Sequence, residues 1–144
     1  MANILRDLRE AMRARILSDS YFATAPAPTI IREEHGDINT EIDTEVAKIG
    51  CCLLLATPFG EVRDNNKFEI TPKIGIFENV TVNRSASGTN KFADEIALQL
   101  IGCFLNWQPP APWRPFAQPA FRLVEVEPEL QYELAWSTGT IIHT

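Results

Sequence analysis

The stretch KIGIFENVTVNRSASGTNKFADEIALQLIGCFLNW, Lys73 to Trp107, decides how this chain reads. It opens on alternating apolar residues, Ile74 and Ile76 and then Val80 and Val82, the period-two pattern of a half-buried strand. A central strand is expected from Lys73 to about Val82, with a bulge at Phe77-Glu78-Asn79, where Phe77 breaks the pattern. A polar turn, Asn83 to Thr89, leads into a long helix that starts near Thr89 or Asn90 and stops before Pro109. Asp94 and Glu95 suit the positive end of that helix's dipole. From Ile96 onward nearly every side of it is apolar: Ile96, Ala97, Leu98, Leu100, Ile101, Cys103, Phe104, Leu105 and Trp107. A surface helix keeps one face polar. This one needs a second covering layer, supplied by the chain's own helices or by another copy of the chain.

Upstream, residues 2 to 18 read as an amphipathic helix with Leu5, Leu8, Met12 and Ile16 in its buried stripe. Arg6, Arg9 and Arg13 lie beside that stripe, diluted by Asp7 and Glu10. They form either a solvated flank or a basic edge facing an acidic neighbour or a DNA channel. Tyr21 to Pro28 reads as a linker, and Thr29 to Arg32 as a short strand. Asp37 is expected to cap a helix running to Ile49, with Ile38, Ile42, Val46 and Ile49 on one face and Gly50 as its stop. Cys51 to Thr57 is a continuous apolar run, the mark of a strand covered on both faces. Pro58 to Asn66 reads as a loop or hairpin arm, and Phe68 to Ile70 as a resumed strand.

Downstream, Gln108 to Pro119 carries five prolines together with Trp113 and Phe116. Such a connector cannot be helical. It is either a strap packed on the domain or a docking arm for a neighbour. Phe121 to Glu127 and Leu130 to Ser137 alternate around Pro128-Glu129 as a hairpin, with the tail extending the second strand. The order of elements predicts a single α+β domain over 1–144, with a mixed or antiparallel sheet and helices packed on it.

A chain of 144 residues with 45% hydrophobic and 22% charged residues is globular in composition. No apolar run approaches the roughly 20 residues of a membrane span, and no signal peptide is expected, because the apolar middle region is missing. The net charge of -6 disfavours whole-surface attraction to nucleic acid or acidic membranes. Cys51 and Cys52 point to opposite faces of their strand and Cys103 lies in the apolar helix, which fits free thiols in a reducing cytoplasm. Neither cofactor nor metal is expected: the two histidines, His35 and His143, make no zinc pattern with the cysteines. There is no nucleophile elbow, phosphate loop or dinucleotide fingerprint. An enzymatic or small-molecule-binding reading rests on a pocket near His35 or Arg84, and a weak anion site is conceivable at Ser85 to Thr89.

The run Ile74-Gly75-Ile76-Phe77-Glu78-Asn79, then Asn83-Arg84, Gly88-Thr89, Phe92-Ala93, Ile96 and Trp107, resembles small neck and tail proteins of long-tailed bacteriophages, in particular the tail terminator or tail-completion proteins. The resemblance covers Asp37 to Trp107 and the ends in outline. The proline-rich connector has no counterpart in the family pattern. The resemblance implies a structural virion protein without enzymatic activity, made in the bacterial host's cytoplasm. It would be one subunit of a ring, six-fold as a rule, that caps the tail tube and joins it to the head-tail connector. Implied partners are other copies of the chain, the tail tube protein, the connector protein and, in the lumen, DNA contacted without sequence preference. Candidate interface residues are Arg6, Arg9, Arg13, Glu78, Arg84, Leu98, Ile101, Leu105, Trp113 and Phe116.

Overall fold

The computed structural model describes residues 3–34, 36–86, 88–127 and 129–142. Five strands form one mixed sheet: β1 (Thr29–Arg32), β2 (Cys51–Arg63), β3 (Lys67–Glu78), β4 (Ala117–Glu125) and β5 (Leu130–Ile141), in the order β1-β2-β3-β5-β4. β1 runs parallel to β2, and the other neighbours are antiparallel. Among the described residues, five α-helices accompany the sheet, α1 (Ile4–Leu17), α2 (Ser20–Ala23), α3 (Ile38–Ile49), α4 (Val80–Asn83) and α5 (Ala93–Phe104), and a 3-10 turn (Asp64–Asn66) joins β2 to β3. The fold is the α+β arrangement that the pattern of elements predicts.

Alternation along β3 assigns its two faces. Ile70, Ile74 and Ile76 are buried, and they pack with Leu53 and Leu55 of β2 and Leu134 and Trp136 of β5 against α1, α2 and α5. Leu8, Met12 and Ile16 of α1 are fully enclosed there, as the helical spacing requires. The opposite face is covered over β1 and β2 by α3, through Ile42 and Val46 against Ile31 and Cys52. Cys51 and Cys52 therefore sit in different cores, one on each face. All three cysteines are free and buried. Burial pushes the Cys52 thiol up to about 12 and the Cys103 thiol up to about 11.

Helix α3 has the ends the sequence specifies. The Asp37 carboxylate accepts from the Thr40 N–H at 3.2 Å and the Thr40 hydroxyl at 2.7 Å. Gly50 closes the helix at φ 89°, where a Cβ would lie 2.2 Å from the Asn83 nitrogen.

Four elements differ from the sequence expectation. Val80 and Val82 are not strand: Asn79 accepts from the Val82 N–H at 3.2 Å and starts the short helix α4, so β3 ends at Glu78 without a bulge there. The irregularities lie instead between Ala56 and Phe59 of β2 and at two points of β4. The long helix starts only at Ala93, because Thr89 is hydrogen-bonded to Asn83 and Asn90 adopts φ 55°. It stops at Phe104, where Leu105 turns extended, rather than near Pro109. Within Tyr21 to Pro28, Asp19 caps the single turn α2 by accepting from the Tyr21 N–H at 2.9 Å. Finally, β4 begins at Ala117 and contains Pro119, which an edge strand tolerates because its outer N–H groups need no partner.

Candidate subunit interface

Helix α5 lies between two environments. Ile96, Ala97, Leu100, Cys103 and Phe104 are buried against the sheet, α1 and the connector. Phe104 sits within an aromatic cluster, 5.1 Å from Trp107, 5.6 Å from Phe116 and 5.2 Å from Trp136 between ring centroids. The chain thus covers more of the apolar segment than its composition suggests, yet not all of it. Leu98 stays 73% exposed and Leu105 61% exposed, with Ile101 half-buried between them. The spacing 98, 101, 105 places the three side by side along one outward stripe. Leucines this exposed keep most of their apolar area in water, and covering the remainder takes another surface.

The connector is a strap. Trp113 is only 3% exposed, and its indole N–H donates to the Ile4 carbonyl at 3.2 Å. The Arg114 N–H donates to the Gly139 carbonyl at 3.0 Å, and the Thr138 hydroxyl donates to the Arg114 carbonyl at 2.6 Å. Phe116 stacks among Phe104, Trp107 and Trp136. Trp113 therefore belongs to the core of its own chain and Phe116, half-buried, packs against that core, so of the two alternatives the connector takes the strap.

Glu78 and Arg84 also turn inward. Glu78 is fully buried at the end of β3, on the same face as Ile74 and Ile76. Its carboxylate accepts from Asn83 Nδ2 at 2.6 Å, from the Ala93 N–H at 3.3 Å and from Arg84 Nε at 3.5 Å. Asn83, itself fully buried, donates to the Lys91 carbonyl at 2.9 Å and accepts from the N–H and hydroxyl of Thr89. Gly88 lies so close to this centre that a Cβ would sit 2.2 Å from the Val82 carbonyl oxygen. The guanidinium of Arg84 covers the Phe92 ring at 3.9 Å. Glu-Asn, Asn-Arg and Gly-Thr, scattered in the sequence, form one corner that ties β3, α4 and the start of α5 together. Glu78 is an internal anchor there, not a surface residue open to a partner.

Of the α1 arginines, Arg9 is buried. It donates to Glu33 at 2.5 Å, to Glu34 at 2.8 Å and to the Thr57 hydroxyl at 2.8 Å. Partial burial raises the Glu34 carboxyl, but its backbone N–H and the guanidinium groups of Arg9 and Arg32 outweigh this and hold it below the usual range. Arg13 approaches Glu10 at 3.7 Å, and Arg6 is exposed. The basic flank reduces to Arg6 and Arg13, because Arg9 holds the strand β1 end to α1.

His35 and His143 lie outside the described residues, so the pocket expected near His35 is seen only from Arg84, whose guanidinium is already engaged by Phe92 and Glu78. Ser85 to Thr89 does not abut a helix start, since α5 begins at Ala93. Among the described residues, no three His, Cys, Asp or Glu side chains gather as metal ligands. No helix of the described residues is long and apolar enough to cross a membrane.

No protein-family model matches the chain, and no curated protein matches it in sequence. Its fold is similar to that of a chain in the virion of a native gene transfer agent (GTA) particle. That likeness spans 99% of this chain and 100% of the other, with a TM-score of 0.59 and 11% sequence identity. At this identity the shared property is the fold.

Proposed function

We propose that this chain is a structural component of a phage-like virion. In that reading it is one subunit of a ring that caps a tail tube and joins it to the head-tail connector. The observation that carries the reading is the end-to-end fold likeness to a chain of the gene transfer agent virion. The motif resemblance to tail terminators over Asp37 to Trp107 points the same way. So does the outward stripe Leu98, Ile101 and Leu105, which a neighbouring copy would cover in a heterologous contact repeated around an axis. Further partners are the tail tube protein and the connector protein. Of the α1 arginines singled out in the sequence, exposed Arg6 and half-buried Arg13, which approaches Glu10, are those left to meet an acidic neighbour or DNA passing through the lumen.

The test is the mass of the purified protein by light scattering at rising concentration, with electron microscopy of any assembled species and of the particle. Rings of defined stoichiometry, seated at the end of a tail tube, are expected. A strictly monomeric species at high concentration and in the assembled particle refutes the reading.

A further inference from the structure

The β4–β5 hairpin carries opposite charge at its two ends. Where the strap enters β4, Lys67, Glu69, Arg114, Ser137 and Thr140 line an open cleft of about 390 Å³. That volume is at the lower end for sites that hold a ligand. Most polar groups around it already have partners. Glu69 pairs with Arg63 at 2.7 Å, the Ser137 hydroxyl donates to the Ala117 carbonyl at 3.2 Å, and Thr138 donates to Arg114's carbonyl. The exposed guanidinium of Arg114 and ammonium of Lys67 have no ion-pair partner among the described residues. The cleft thus presents, beside the Glu69–Arg63 pair, two cations without an ion-pair partner among the described residues, in a chain of net charge -6.

At the far end of the same hairpin stand Glu125 and Glu127, both exposed and without a cationic partner among the described residues, with Glu129 half-buried beside them. Burial, and to a lesser degree the neighbouring charge of Asp43, push the Glu129 carboxyl up. The length of β4, Ala117 to Glu125, separates cleft and tip by roughly 25–30 Å. One molecule cannot bring its own two ends together across that rigid strand pair. A second copy displaced along the hairpin places its tip in the first copy's cleft, and leaves its own cleft open for a third. That is a heterologous contact, which closes into a ring when each step includes the right rotation.

We propose that the Arg114–Lys67 cleft is the socket for the Glu125–Glu127 tip of a second copy. The occupant's chemistry is a pair of carboxylates on a rigid hairpin, which a guanidinium fork and an ammonium recognise by charge and by hydrogen bonds. The proposal rests on the ring reading and names the contact that orients one subunit on the next. The apolar stripe of α5 supplies non-directional burial, and the charged latch fixes register.

Two charge-reversed variants of the full chain test it: Lys67→Glu with Arg114→Glu, and Glu125→Lys with Glu127→Lys. All four side chains are exposed, so circular dichroism should show the fold retained in both. By analytical ultracentrifugation at low salt, each variant alone is expected to associate at least about tenfold more weakly than the parent chain. An equimolar mixture should recover association to within about threefold, because acidic tips then meet basic clefts in alternating copies. Added salt should weaken the parent assembly. If the parent chain assembles and both variants assemble equally well, or the mixture recovers nothing, the latch is wrong and the ring reading stands. If the parent chain is monomeric throughout and in the particle, both fall.

Discussion

Replacing Leu98 and Leu105 together with glutamine isolates the apolar stripe of α5. The two side chains are 73% and 61% exposed in the single chain, so a partner that covers them buries about 1.3 leucine side chains' worth of surface. Full burial of one leucine stabilises by about 1.5–3 kcal/mol, which makes the pair worth roughly 2–4 kcal/mol at each contact. That corresponds to an association constant lower by about 30- to 700-fold in the double variant. Glutamine is a good helix former, and neither leucine is enclosed by its own chain. The roughly 0.7 leucine's worth of surface already covered in the single chain limits the loss of monomer unfolding free energy to about 1–2 kcal/mol. Sedimentation velocity over a dilution series reads the association, and urea denaturation reads the monomer. An association constant that does not change, alongside an unchanged fold, would show that the stripe is left bare in the assembly, and the covering-copy argument would be lost.

Three further outcomes follow from the geometry. Asn83→Ala leaves the buried Glu78 carboxylate without its shortest hydrogen bond and leaves Thr89 only its longer bonds to the Ile49 and Lys91 carbonyls, which should cost about 2–4 kcal/mol in denaturant unfolding; a cost under about 1 kcal/mol would mean that the corner is not what holds β3 to α5. Trp113→Ala empties a site enclosed by Phe68 and α1 and should cost about 3–5 kcal/mol; a thermal melt that does not shift would return the connector to the status of a free arm. On acidification, Asp19 and Asp37 are held below the ordinary carboxylate value by hydrogen bonds, from Gln99 and Tyr21 in one case and Thr40 in the other. Glu34 is held low by the arginines despite its burial. Since the folded state favours the ionised form of all three, their contribution is complete above the unfolded values of 3.8 and 4.5 and is lost as pH falls through the lower folded values. Melting temperature should therefore decline as pH falls below about 4.5, and Asp19→Asn should reduce that decline.

Features set by a few neighbouring residues were legible in the sequence. The α1 stripe, the Asp37 cap, the Gly50 stop and the even-numbered apolar positions of β3 each depend on local periodicity or local hydrogen bonding, and each is present. What depended on distant surfaces was not legible. The strap and the docking arm share one local pattern, and only the presence of Ile4, Phe68 and Trp136 beneath it decides between them. Glu78 was misread for a different reason. A glutamate followed by asparagine looks like polar turn chemistry, and Phe77 looked like the break in the pattern. Yet Glu78 keeps the parity of Ile74 and Ile76, and that parity was the available signal that it lies inside. Leu98, Ile101 and Leu105, the apolar candidates of α5, lie on its less covered side, with Leu98 and Leu105 exposed and Ile101 half-buried. How far the rest of the helix is covered depended on where α1 and the strap lie.

Because consecutive thiols at Cys51 and Cys52 face opposite layers, the molecule carries two separate clocks at one point of its backbone. Both thiols are enclosed and burial pushes each up, so slow alkylation of the native state is the expected baseline. A reagent that reaches the first before the second reports that α1 and α5 have lifted away, and the reverse order reports departure of α3. Chains retaining one thiol at a time would thus reveal, residue against adjacent residue, which covering the sheet sheds first.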